Sequence, residues 1–210
     1  MNRSTPRHLV APLVGTGLLM AAYLLLRPYG DFGSGTTMEA AEAFGSTAWI
    51  VSHLCGALAL ASVGRLALRL HDLFPGTLTA AARWSGLVGT VLVLPYYGAE
   101  TFGLHAVGRA AVDGSTTTLE LVDPIRNHPA ALTTFGLGLL LLAVSGIAAA
   151  LAWQRRTGSS AAWPLGLLVA LVLPQFYLPP AGRMAFGVLY AVAAAWWLLS
   201  LRRTTGAAPA

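Results

Sequence analysis

Six long apolar runs, separated by short polar connections, decide what this chain can fold into. They fall at 9–26, 47–68, 84–108, 129–153, 161–179 and 183–201. A helix of ~20 residues crosses ~30 Å of hydrocarbon, and among open structures only a helix satisfies its own backbone there. Hydrophobic residues make up 56% of the 210 and charged residues 10%, with a mean hydropathy of +0.66. Nothing remains from which to build a soluble domain. The expected fold is all-α: a polytopic integral membrane helix bundle with six transmembrane helices, one domain over 1–210, placed in a cell membrane. The first run follows Arg3, Arg7 and His8 as a signal peptide would. It is too long for one and lacks small cleavage-site residues before Arg27-Pro28-Tyr29, so a retained helix is expected.

Charge supplies the orientation. All thirteen basic residues are Arg. With the N-terminus inside, Arg3, Arg7, Arg65, Arg69, Arg83, Arg155, Arg156, Arg202 and Arg203 face the cytoplasm. Arg27, Arg109, Arg126 and Arg183 face out. That split obeys the positive-inside rule and predicts cytoplasmic N- and C-termini. The net charge of +5 is then a topology signal, and no basic face with groove-reading elements suggests nucleic acid. Cys55 is alone and reads as a small packing residue.

The outer connections carry more than the inner ones. Thr36-Thr37-Met38-Glu39 reads as a capping box opening a short helix to about Phe44. Asp113-Gly114 reads as a turn, Ser115 as the start of another short helix, and Asp123-Pro124 as its end. These segments are interfacial connectors or a partial lid over an outward-facing cavity. Trp84 precedes Pro95 by eleven residues and Trp163 precedes Pro174 by eleven. Either spans two-three and four-five form a parallel repeat of helical hairpins, or each pair is an interfacial Trp plus a kink.

Glu100 is the one acid within an apolar run. A carboxyl in hydrocarbon is costly without partners and marks a functional site by default. Tyr96 and Tyr97 lie four and three residues before it, on a shared helix face, with Pro95 as an expected kink below. His53, on another helix at comparable depth, is the expected partner, and Arg27 or Arg183 the expected counter-ion if Glu100 is simply half of a structural ion pair. Thr133, Thr134, Gln175, Tyr177, Tyr23 and Arg27 complete a polar layer at that depth. The inner halves are nearly all Leu, Ala, Val and Gly. A haem would need His53 and His105 to face each other. No His/Cys cluster supports zinc, and no phosphate-cradling motif occurs, so neither a metal nor a cofactor is expected.

Low dielectric favours the neutral, proton-bearing form of a carboxyl, which makes Glu100 an expected general acid. Protonating a polyene creates a carbocation that Tyr96, Tyr97, Phe102, Phe176 and Tyr177 would stabilise through their ring faces. Thr133 and Gln175 are expected to help bind substrate. In size, helix number and a buried acid in aromatic company, the chain resembles the small polytopic membrane-bound terpene cyclases of bacterial and fungal meroterpenoid pathways. That resemblance implies a lipophilic isoprenoid substrate and a cyclisation. The all-Arg, Ala/Gly/Leu-rich composition fits a GC-rich actinobacterial genome. Two other classes stay open: a proton-coupled transporter using Glu100 and His53, and a non-catalytic or haem-carrying membrane subunit.

Overall fold

The computed structural model describes residues 6–205, with side chains for 7–201. Arg3 and the side chains of Arg202 and Arg203, assigned above to the inner face, lie outside the described residues. The elements follow in chain order as α1 Val10–Leu26, α2 Met38–Gly45, α3 Thr47–Leu73, α4 Thr77–Gly98 and α5 Leu104–Val112. Then come α6 Val122–Arg126, α7 Pro129–Thr157, α8 Trp163–Ala170, α9 Val172–Gln175 and α10 Pro180–Thr205. Among the described residues there is no strand.

Five helical rods are long and apolar enough to cross a membrane: Arg7–Leu26, Thr47–Leu73, Thr77–Val112, Pro129–Thr157 and Pro180–Leu201. The expected continuous helix at 161–179 is instead broken into α8 and α9. Pro174 has no N–H to return to Ala170, which is where α8 stops, and Leu171 sits at φ −90°, ψ 4°. Pro179 and Pro180 then prevent α9 from running on into α10. The two proline helices therefore differ in course. α4 carries Pro95 within a continuous helix, whereas its proposed repeat partner turns.

α1 packs on α3, α3 on α4, α4 on α7, α7 on α8, and both α8 and α1 on α10, so the segments close into a ring. α3 also meets α7 across the ring. Closeness is set by small residues. A Cβ on Gly89 of α4 would lie 2.7 Å from the Gly138 carbonyl of α7, a contact no larger residue permits.

A second, smaller core lies at one end. Ala40, Ala41 and Phe44 of α2 pack with Trp49, Leu104, Val107, Leu119 and Val122. Thr37 caps α2 by accepting from the Ala40 N–H at 3.2 Å. The cap is thus one residue later than a box with Glu39 requires. Gly108 of α5 lets α2 lie directly against it, since a Cβ there would come within 2.6 Å of the Ala41 carbonyl. Gly114 takes the predicted turn at φ +109°, and Thr116–Leu121 forms a 3₁₀ segment. Asp123-Pro124 does not end that segment; Pro124 lies in α6, whose last turn carries Arg126. The connectors over 27–46 and 113–128 are packed onto one bundle end and position charged residues over its interior.

Candidate active site

Glu100 stands where the helical ladder slips. The Leu104 N–H bonds back five residues to the Ala99 carbonyl, giving a π turn over Ala99–Gly103. Such single-turn bulges insert one extra residue and recur at functional sites. The Glu100 carbonyl, which Leu104 would cap in an α-helix, accepts instead from the Trp49 indole at 2.8 Å. Trp49 is fully buried, and its place at the start of α3 is fixed by Ser46, which accepts from the Trp49 N–H at 3.1 Å. Pro95 does not end the helix; the slip falls one turn later.

Glu100 is 7% exposed, and its carboxylate is held by Arg126, not by Arg27 or Arg183 as expected. Arg126 Nε donates to Oε1 at 2.8 Å and Nη2 to Oε2 at 3.2 Å, a bidentate pair. Tyr96 donates its hydroxyl to Oε1 at 3.2 Å. Arg126 Nη2 also donates to Asp31 Oδ2 at 2.7 Å, and Arg27 Nη2 reaches the same oxygen at 2.7 Å. Charges thus alternate along Arg27, Asp31, Arg126 and Glu100, tying α1, the first connector, α6 and the π turn together. Burial pushes the Asp31 carboxyl up, but Arg27 and then Arg126 outweigh it and hold it below its ordinary value. Burial likewise opposes the Arg126 charge, yet Glu100 and then Asp31 hold that guanidinium above its ordinary range. Tyr29, whose hydroxyl donates to the Leu24 carbonyl at 2.7 Å, is pushed up to about 12 chiefly by burial.

His53 approaches the carboxylate from α3, with Nε2 4.0 Å from Glu100 Oε2. Its Nδ1 lies 2.8 Å from the Trp49 carbonyl. A carbonyl only accepts, so Nδ1 carries a proton, and in the neutral ring the Nε2 lone pair is the atom turned toward Glu100. The Trp49 ring stacks behind it at 4.0 Å. His105, by contrast, places Nδ1 2.9 Å from the Phe44 carbonyl and does not line the cavity, so the two histidines do not face a shared space.

These groups line one end of a cavity of about 500 Å³, within the range of small-molecule sites. Its wall is aromatic. Tyr96 stacks on Phe135 at 4.3 Å, Phe176 meets Phe135 edge-on at 5.7 Å, and Tyr97 meets it at 6.0 Å. Tyr177, Leu132 and Phe32 stand at the mouth, respectively 86%, 42% and 55% exposed. Of the residues singled out from sequence, Glu100, His53, Tyr96, Tyr97, Phe176 and Tyr177 line this cavity together. Phe102, Thr133 and Gln175 do not. Phe102 is 58% exposed, about 200° around the helix from Glu100, Thr133 is exposed on α7, and Gln175 is buried.

Sequence reasoning missed Arg126, Asp31, Phe135 and the Trp49 indole. Asp31 had a signal, standing four residues after Arg27. Phe135 also had one, since it continues the buried stripe of Leu139 and Leu142 on α7. Arg126 had none; only the folded connector brings it over Glu100. Comparison with protein-family models, curated proteins and solved structures gives no match for this chain.

Proposed function

We propose that this protein is an intramembrane enzyme acting on a lipophilic isoprenoid, and that its reaction is an acid-initiated cyclisation. The observation that carries the reading is the meeting of Glu100, the His53 Nε2 and a continuous aromatic wall in one cavity inside an apolar bundle. The ion-paired carboxylate is the state after proton transfer; before it Glu100 carries a proton on Oε2, the oxygen nearest His53 Nε2, and delivers it to a terminal alkene carbon. The electrons left on Oε are stabilised by Arg126 and Tyr96, at a carboxyl that lies buried at the cavity's end. The adjacent cationic carbon is attacked by the next double bond, closing a ring. Tyr96, Tyr97, Phe135, Phe176 and Tyr177 offer ring faces to the migrating charge. His53 Nε2 takes the proton lost at termination and returns it across 4.0 Å to Glu100. Atoms and charge balance, so the product is an isomer of the substrate.

The same proposal places six passes in a cell membrane with both termini in the cytoplasm. Arg27, Arg109, Arg126 and Arg183 gather at the cavity end, while Arg65, Arg69, Arg83, Arg155 and Arg156 gather at the other. The broken α8–α9 segment runs beside α7 as the fifth pass, from Trp163, whose indole donates to Gln154 Oε1 at 2.5 Å, to Phe176 against Phe135. The test is mass spectrometry of extracts from cells supplied with polyprenylated precursors. Wild type yields a product of unchanged mass and shifted retention, and Glu100→Gln lowers its formation at least ~100-fold. Equal product from both proteins, or none from either, removes the acid role.

A further inference from the structure

The cavity holds three guanidiniums, Arg27, Arg126 and Arg183, against two carboxylates, Asp31 and Glu100. Arg126 and Arg27 are matched to those acids. Arg183 is not. It donates Nε to the Leu178 carbonyl at 2.9 Å and Nη2 to the Phe176 carbonyl, and no described carboxylate pairs with it. It also stands in the first turn of α10, where the helix dipole is itself positive, and Arg27 repels it across the cavity. A half-buried cation that lines the cavity without a carboxylate partner offers a seat to an anionic group of a ligand.

We infer that the cavity takes an amphiphile with a singly anionic head, a carboxylate, enolate or phosphate monoanion seated on Arg183, with its prenyl tail along the aromatic wall of Phe135 and Phe176. This rests on the enzymatic reading above and sharpens its substrate class. It also removes an electrostatic obstacle in that reading. With the head absent the cavity is formally +1 and repels a carbocation; with the head bound it is neutral, and the ring faces decide where the cation resides. An anionic phospholipid offers the same head chemistry, so the experiment must separate the two sources.

The probe is a farnesylated 4-hydroxybenzoate, compared with its methyl ester. Binding is measured to full-length protein in phosphatidylcholine nanodiscs. The tail and ring are shared, so the two differ only at the head, by one charge and one methyl group. Wild type binds the acid about tenfold more tightly than the ester. Arg183→Gln equalises the two by weakening the acid alone, and Arg183→Lys keeps a preference because the point charge remains. Equal binding of acid and ester by wild type overturns the inference without any variant having to fold. Repeating the titration with phosphatidylglycerol in the disc identifies the source. Competition against the acid means that the seat also accepts a lipid head. Unchanged acid affinity reserves it for the substrate. Binding is read without turnover, so an acid preference with no product sinks the cyclisation and leaves the anion seat. Equal KM for acid and ester with normal product does the reverse.

Discussion

The two ends of the bundle are built from the same helices and behave differently. At the cavity end the backbone is irregular: α4 slips into a π turn at Ala99–Gly103, and the α8–α9 segment breaks at Leu171. Aromatic rings and an ion chain line about 500 Å³ between them. At the other end the helices are regular, and small residues bring them together. A Cβ on Gly86 would lie 2.7 Å from Ser145 Oγ, Ser145 donates to the Ala82 carbonyl at 2.8 Å, and Trp153 and Trp197 pack edge to face at 5.7 Å. The space left among Val63, Ser145 and Trp197 is about 10 Å³, room for about one water. The lesson is that the opening comes from broken ladders and bulky rings, not from polarity alone; polar groups then occupy what the backbone has opened.

The largest expected effect breaks the cavity end. In Arg126→Gln the Glu100 and Asp31 carboxylates lose their shared partner, and uncompensated buried charge costs ~3–5 kcal/mol. Reversible unfolding in micelles reads it. A loss below ~1 kcal/mol would mean that the ion chain is solvated and that the ends do not differ in this way.

Gly86→Val attacks the packed end. The new methyls meet Ser145 and Gly64 with no cavity to enter, so overpacking costs ~1–3 kcal/mol. Ligand affinity should hold, because the cavity is lined by other residues. A parallel fall in affinity would show the two ends to be mechanically coupled.

Acid titration separates the ends more gently. The Asp31 carboxyl is held below its unfolded value by Arg27 and Arg126. Its contribution is therefore complete above the unfolded pKa, near 3.9, and is lost as pH falls through the lower folded one. Asp31→Asn should flatten that part of the stability profile. A wild-type curve that already matches the variant's would remove Asp31 from the network's stability.

These differences explain what the sequence could disclose. Apolar run length sufficed for five rods, because a backbone in lipid has little choice but helix. It failed at 161–179, since one proline among Leu and Val can either kink a helix, as Pro95 is absorbed in α4, or help end one, as Pro174 does at Ala170. Glu100, His53, Tyr96 and Tyr97 were legible from depth and spacing along helices. Phe102 was misplaced because its ring was counted without its position: two residues from Glu100 is about 200° around a helix, on the opposite face even in an unbroken ladder. Arg126 was illegible because its meeting with Glu100 depends on how α6 folds back, which no periodicity encodes.

The smallest effect is the sharpest, because it uses one helix against itself. Gly136 and Gly138 lie two residues apart on α7, and their missing side chains point to opposite surroundings. A Cβ on Gly136 meets nothing within 4 Å, and the residue lines the cavity. A Cβ on Gly138 would lie 2.7 Å from Val93 Cγ1 and 2.9 Å from the Gly89 carbonyl. In Gly136→Ala the helix gains backbone restriction without a clash, so stability should rise by about 0.5–1 kcal/mol. Gly138→Ala receives the same gain and must also push α4 away, which reverses the sign. Unfolding midpoints of the two variants, measured side by side, test the comparison directly. Opposite shifts mean that the opening reaches α7 at Gly136 and closes by Gly138; shifts of the same sign mean that the boundary between open and packed bundle lies elsewhere.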